Sequence, residues 1–571
     1  MDRRLALLFV FVVAACPRAE DEGATAGDAT PVHGEFEWID CIAEAASVDV
    51  PMGETREVRL RAMALPTGAD ESEAVDVTAD AWWTVLQGEG TVAEAVYTTP
   101  DDKGGLAAIE VQLQGLSDVC EIEMHLQIWV DGAGSGLAPE QVLEHEIEGN
   151  DECAAVVVYP SRDSAFPPNQ VPPRVQWLPS WWDDLYIVDI ESEYVHMLAT
   201  TRDHQWEPDF ELLRVLSRSH DAARVPFELR VLSASFDYEN SGWGGALCNA
   251  SRPVNLEVSN VRLPGSVVYW SPITEGLWSI EIGATEAVPL LDPDTVGCVG
   301  CHALNTGAPD RLSMAWGERA VVSRLDDLEQ PVVEPSEERP GRFTILDDAS
   351  NRLIRSWEGE LFYDDAGTGA ILGRLPTVGY ATHPTINSDG DRLVYSSCES
   401  GDGWEWNMIG CGLRALEMDG QGELTIDREL LPRHEAWNYY YPSISPDGQW
   451  VLYNRSTGDT HDDRDAELML IPLAIEGDPI RLDRANGGVD LTNSWPRWGP
   501  MLQDRAWISF SSRRGYGDRS DRGTPQVWIA EVDLALAWSG FDPSRAAIRL
   551  PGQDLDVGNH TPVWVPRGSG L

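Results

Sequence analysis

The chain has 571 residues, 43% hydrophobic and 24% charged. That is too long for a single core and too apolar for a disordered or collagenous chain, so three or four globular domains are expected. The 95 acidic residues against 41 basic ones give a formal charge of −54, a field that repels phosphate backbones and excludes nucleic acid as a partner.

The chain opens Met1-Asp2-Arg3-Arg4, runs apolar from Leu5 to Ala15 and reaches Cys16. A charged start and a short apolar stretch predict a signal peptide over residues 1–15, too short to span a bilayer. Val13-Ala14-Ala15-Cys16 is similar to a bacterial lipobox, which implies lipidation of Cys16 and attachment to the membrane by lipid alone. The small, acidic stretch 16–35 suits a flexible tether. Pro17 after the cysteine resembles the sorting pattern of outer-membrane lipoproteins, so the expected location is the bacterial cell envelope, at the outer membrane.

Alternating runs such as EVRLRAM and EIEMHLQIWV predict an antiparallel sandwich over 36–131. The stretch DVTADAWWTVLQGEGTVAEAVYTTPDDKGG resembles a bacterial Ig-like domain. Residues 132–150 read as a linker, and 151–291 as a second, fibronectin-like sandwich with proline-rich turns. Six cysteines fall two to a proposed domain: Cys41 and Cys120, Cys153 and Cys248, Cys398 and Cys411. In an oxidising compartment this suggests three disulfides, although spacing alone leaves their connectivity open.

The C-terminal part, 292–571, repeats itself. His383-Pro384-Thr385-Ile386 leads through Asp389-Gly390 into Arg392-Leu393-Val394-Tyr395. Tyr441-Pro442-Ser443-Ile444 leads through Asp447-Gly448 into Trp450-Val451-Leu452-Tyr453. Weaker copies begin at Trp495-Pro496 and Thr561-Pro562. Strand, tight turn and strand make one hairpin of a blade, and recurrence of this unit predicts a radial array of five to seven blades. The repeat resembles that of TolB-like β-propellers, in which a terminal half-repeat closes the ring. The expected fold class is all-β: two sandwiches followed by a propeller.

Cys298-Val299-Gly300-Cys301-His302 is C-x-x-C-H, the attachment pattern of c-type haem. Two thiols three positions apart reach the two vinyl groups on one edge of the porphyrin, and the next residue offers an imidazole to the iron. A Cys298–Cys301 disulfide and half of a zinc site are the alternatives. Aligned on the repeats, Cys301-His302-Ala303 falls on His383-Pro384-Thr385, so the motif replaces the start of a blade. His383, Tyr439, Tyr440, Tyr441, Asn493, Trp495 and His560 are then candidates to face it from the same rim. His383, His560 and Met314 are candidate distal ligands, with an open iron position the other choice. The acidic loop Asp459–Glu467 is a candidate calcium site, and Ser511–Gly517 a candidate anion site. No G-x-S-x-G, H-E-x-x-H or P-loop occurs.

The phrases CVGCHAL, NSWPRW, FSSRRGYG, QVWIAEVD and LPGQD…NHTPVW resemble secreted bacterial TolB-like propeller lipoproteins with an embedded haem motif. More distantly they resemble the propeller region of the hydrazine synthase alpha subunit. Carried over residue by residue, the resemblance implies only Cys298, Cys301 and His302 as haem-binding residues. Asn305-Thr306-Gly307-Ala308-Pro309-Asp310 departs from the usual C-H-x-x-S-x-D-G. Three functions follow as expectations. The first is electron transfer or redox sensing, with a basic redox protein as partner. The second is a binding scaffold without catalysis that recognises protein or glycan. The third is a peroxidase-like haem enzyme. Oligomeric state is not legible in the sequence.

Overall fold

The structure, a computed structural model, describes residues 35–138, 155–179, 185–208, 211–220, 224–234, 252–259, 261–291, 299–304, 310–420, 423–517 and 523–566. The signal peptide, Cys16, the tether to residue 34, most of the linker, Cys153, Cys248 and Cys298 lie outside them. The described chain is all-β apart from short helices. None of these helices is long and apolar enough to cross a membrane.

Six four-stranded antiparallel sheets form a propeller. Blades one to five run outward from inner strands Val299–Ala303, Thr344–Asp347, Tyr380–Ile386, Asn438–Ile444 and Ser494–Leu502. The sixth blade is composite. The C-terminal strand His560–Val565 takes its inner position and pairs with Ser266–Ser271, which continues into Gly276–Glu281 and Val288–Leu291. One blade built from both ends of the propeller leaves no free inner edge. The Asp-Gly turns form as expected, with Gly390 and Gly448 at φ +72° and +68°.

Two expected boundaries shift. Residues 266–291, read from sequence as the end of a second sandwich, belong to the sixth blade, because their partner strand lies almost 300 residues later. The two sandwiches are also not separate, since one nine-stranded sheet runs through both. Its hinge is the 16-residue strand Leu116–Asp131. Gly105–Leu113 pairs with it antiparallel, and its far end, from Leu126, pairs parallel with Val195–Thr201. An edge that would have ended the first sandwich is thereby covered. Cys41–Cys120 joins this sheet to the smaller one facing it, and Cys398–Cys411 ties a loop of blade three.

The sandwich body packs on the outside of the propeller. Trp507, Val527, Ile529 and Trp564 share one apolar cluster with Phe166, Trp177 and Phe227 of the body. Arg224 reaches Glu531 at 3.3 Å and Asp533 at 3.2 Å, and Ser259 Oγ donates to Glu531 Oε1 at 3.1 Å. Tyr159 Oη accepts from the Arg549 backbone at 3.0 Å.

If the terminal strand closes the ring, a charge inside it should open the fold. Val565 is 1% exposed against Ser266. Val565→Asp should cost about 3 kcal/mol or more in denaturant unfolding, because a carboxylate would be buried without a partner. A loss below about 1 kcal/mol, the size of an exposed substitution, would contradict the closure.

Candidate functional site

Each of five inner strands carries the same defect. Cys301, His383, Tyr441, Trp495 and Thr561 lie in left-handed backbone at φ +45°, +51°, +48°, +58° and +49°. At each, the ladder slips so that two residues face one on the next strand. This is a β-bulge, which bends a strand and re-aims a side chain. The second bulged residue is Pro384, Pro442, Pro496 or Pro562 in four blades. Proline suits that place because the bulge leaves one N–H without a ladder partner and proline has none. In blade one the place belongs to His302.

The re-aimed side chains meet on the axis. Phe343 of blade two joins Cys301, His383, Tyr441, Trp495 and Thr561 around a cavity of only about 20 Å³. The rings pack directly, with centroids 4.3 Å apart for Phe343 and His383, 4.4 Å for His383 and Tyr441, and 3.9 Å for stacked Tyr441 and Trp495. The channel is therefore plugged at this level. Trp406 and Cys301 pack on the plug, and His461 stacks on Trp406.

The candidate ligands sort clearly. His302 is 2% exposed, and neither ring nitrogen makes a well-formed hydrogen bond, the Val268 carbonyl being a nearby acceptor. Burial pushes its pKa down to about 3; the nearby Val268 carbonyl pulls the other way and loses. An imidazole kept neutral in this way can ligate a metal without competition from a proton. His383 is committed elsewhere: Nε2 donates to the Glu405 carbonyl at 3.2 Å, and Nδ1 accepts from Ser396 Oγ at 3.3 Å. His560 Nδ1 lies 3.7 Å from Asp462 Oδ1. Burial opposes the Asp462 charge, but His560, His461 and Arg513 hold its carboxyl below the usual range. Met314 is a packing residue. It faces the blade-one bulge from the next strand, where the other bulges meet Tyr269, Tyr395, Tyr453 and Phe510.

Of the other rim candidates, only Tyr441 and Trp495 reach the axis with His383. Tyr440 is buried behind the plug against Tyr441, Asn493 is bonded to Asn486 and Ser512, and Tyr439 packs between blades three and four. The acidic loop spends its carboxylates locally: Asp459 on the His461 backbone, Asp462 on Arg513, Asp465 on Thr457 and Glu467 on Arg455 and Arg481. Among the described residues no three metal-ligating side chains come together. In the Ser511–Gly517 loop, Arg514 donates to Asn493 Oδ1 at 2.6 Å and to the Ala485 carbonyl at 2.8 Å, and it lies over Trp528. It braces blades.

As donors for a haem iron and its thioether, His302 and Cys301 fit: they are adjacent, the imidazole is neutral and neither of its nitrogens is held by a well-formed hydrogen bond. The 20 Å³ cavity between them does not accommodate a macrocycle, so the fit extends to the donors and not to a preformed pocket. Sequence reasoning missed Phe343, which lacks a following proline, and Arg497, two residues beyond Trp495.

No protein-family model matches the chain, and no curated protein does. Among solved structures, TolB from Acinetobacter baumannii is 14% identical with a TM-score of 0.37, covering 60% of this chain and 80% of that one. The putative TolB from Agrobacterium tumefaciens is 12% identical with a TM-score of 0.32, covering 54% and 100%. Kuenenia stuttgartiensis hydrazine synthase is 14% identical with a TM-score of 0.32, covering 51% and 88%.

The buried imidazole of His383 sets a pH dependence. Burial lowers its pKa from 6.5 to about 3. The unfolded chain therefore takes up a proton that the folded chain refuses. Stability is complete above pH 6.5 and falls toward pH 3, by up to about 1.4 kcal/mol per pH unit for one such residue. Melting temperatures of the wild type and His383→Gln should diverge below pH 6.5, the wild type falling more steeply. Parallel curves would contradict the assignment.

Proposed function

We propose that the protein is a cell-envelope lipoprotein, anchored through Cys16 at the outer membrane, that carries one covalent c-type haem on its propeller, at the entry to blade one, for electron transfer or redox sensing. The observation that carries this reading is His302. A residue that four other blades make proline is here a histidine, buried, neutral and without a well-formed hydrogen bond on either ring nitrogen. An unpaired buried polar group is costly, and such a group invites a ligand that satisfies it. When bound, the haem supplies a one-electron iron couple.

The chain's own residues have separate tasks in this reading. Cys298 and Cys301 hold the porphyrin edge, and His302 offers its nitrogen to the iron from a strand whose bulge fixes its direction. The packed rings of Phe343, His383, Tyr441 and Trp495 keep water from the axis beside Cys301. With both nitrogens of His383 engaged and Met314 inside blade one, neither serves as a distal ligand. The acidic surface would steer a basic redox partner.

A second reading, a binding scaffold without haem, is favoured by the smallness of the cavity beside His302. In that reading Cys298 and Cys301 pair with each other.

Export of the full chain in cells that mature c-type cytochromes separates the two. Wild type should keep a haem stain on a denaturing gel, and Cys301→Ala should reduce or abolish it. His302→Ala should keep the stain while changing the visible spectrum of the iron. Colourless wild type with joined sulfurs would leave only the scaffold. A high-spin ferric iron that binds cyanide would move the function from transfer to catalysis.

A further inference from the structure

Two positions after each plug residue the six inner strands come together again. The residues there are Ala303, Ile345, Thr385, Ser443, Arg497 and Val563, one from each blade. All six line a second axial cavity, of about 270 Å³. Its walls are apolar at Ile386, Ile444, Trp498 and Trp564. Arg497 is the one charged residue among those lining it, and it also borders the small plug cavity.

Arg497 is unusually placed. A guanidinium has five N–H donors. Among the described residues its one hydrogen bond goes to the Pro496 carbonyl, from Nη1 at 3.0 Å, and no carboxylate lies within ion-pair distance. Many other arginines are paired: Arg355 lies 2.6 Å from Asp364, and Arg224 is held by Glu531 and Asp533. Burial lowers the pKa of Arg497 to about 10, and its charge helps to push His302 and His383 down. Arg497 is half-buried, and a guanidinium partly withdrawn from water without a carboxylate partner keeps donors for an anion that enters the cavity.

We infer that the second axial cavity is a binding site for a small amphipathic carboxylate, whose anionic head pairs with Arg497 and whose short apolar body fills the channel among Ile345, Ile386, Ile444, Trp498 and Val563. The volume lies just below the usual range of ligand sites, roughly 300–1,000 Å³, which limits the body to a short chain or one ring. A planar guanidinium matches a carboxylate through two parallel hydrogen bonds. Thr385 and Ser443 are the hydroxyl side chains of the same ring of six. The apolar walls of the site lie beyond the plug from Cys301, and Arg497 is the residue that borders both cavities, so the site is tested on haem-free protein as well.

Calorimetric titration of the full chain with octanoate, 1-octanol and acetate tests this. Octanoate should bind at least about ten-fold more tightly than either control, because only it offers both charge and apolar body. Arg497→Met should bring octanoate to within about two-fold of octanol. It should also melt no lower than wild type, because a half-buried charge without a carboxylate partner is replaced by an apolar side chain of similar length. Thr385→Leu keeps the charge and fills the channel, so it should weaken octanoate and octanol together. Octanoate binding no better than octanol, or unchanged by Arg497→Met, would overturn the site. Acetate binding as tightly as octanoate would overturn the amphipathic class, leaving a plain anion site. Titration of haem-free Cys301→Ala keeps this result separate from the haem reading.

Discussion

The axis of this protein rests on a backbone conformation that side chains disfavour. Five inner strands hold a non-glycine residue at φ between +45° and +58°, each costing about 1 to 3 kcal/mol. Thr561 is β-branched, for which the conformation is a genuine outlier. The cost is met by packing: the bulge turns the side chain out of its own sheet and onto the axis, where the rings close on one another. Everything proposed for function follows from that turn. It puts Cys301 at the plug and His302 in the proline place, and it sends Arg497, two residues beyond Trp495, into the channel below.

Closure of the ring lets this strain persist. The inner strand of the sixth blade comes from the far end of the chain, so its bulge at Thr561 forms only when the circle is complete. The sandwich body then braces the outside through a shared apolar cluster and the Arg224 contacts. The axis is accordingly held from both inside and outside, a suitable mount for chemistry that needs fixed geometry.

Much of this was legible in the sequence, and what was not has identifiable causes. The x-Pro repeats at 384, 442, 496 and 562 marked the inner strands and gave the alignment of the C-x-x-C-H motif on a blade, which the bulge registers reproduce. Blade two was harder to see because Phe343 is followed by Thr344 and makes no bulge. The shared sheet was hidden because alternation reports which face is buried and not which strand lies alongside, least of all in a parallel pair such as Val195–Thr201 on Leu126–Asp131. Residues 266–291 were misassigned for the same reason. Met314 looked like a ligand because methionine can bind iron; its position opposite the bulge, where other blades place aromatic rings, makes it core. Arg497 was not legible because the bulge at Trp495-Pro496 breaks the strand's alternation, and only the folded ring shows which residues line the channel.

The most direct measurement is the sign of one stability difference, glycine against alanine at Thr561. In an ordinary strand glycine is the less stable by about 0.5–1 kcal/mol. In left-handed backbone the order reverses, because only glycine adopts it without steric cost. Thr561→Gly should therefore unfold at higher denaturant than Thr561→Ala. The opposite order would mean that the inner strand runs straight through Thr561, and that no bulge turns its side chain onto the axis.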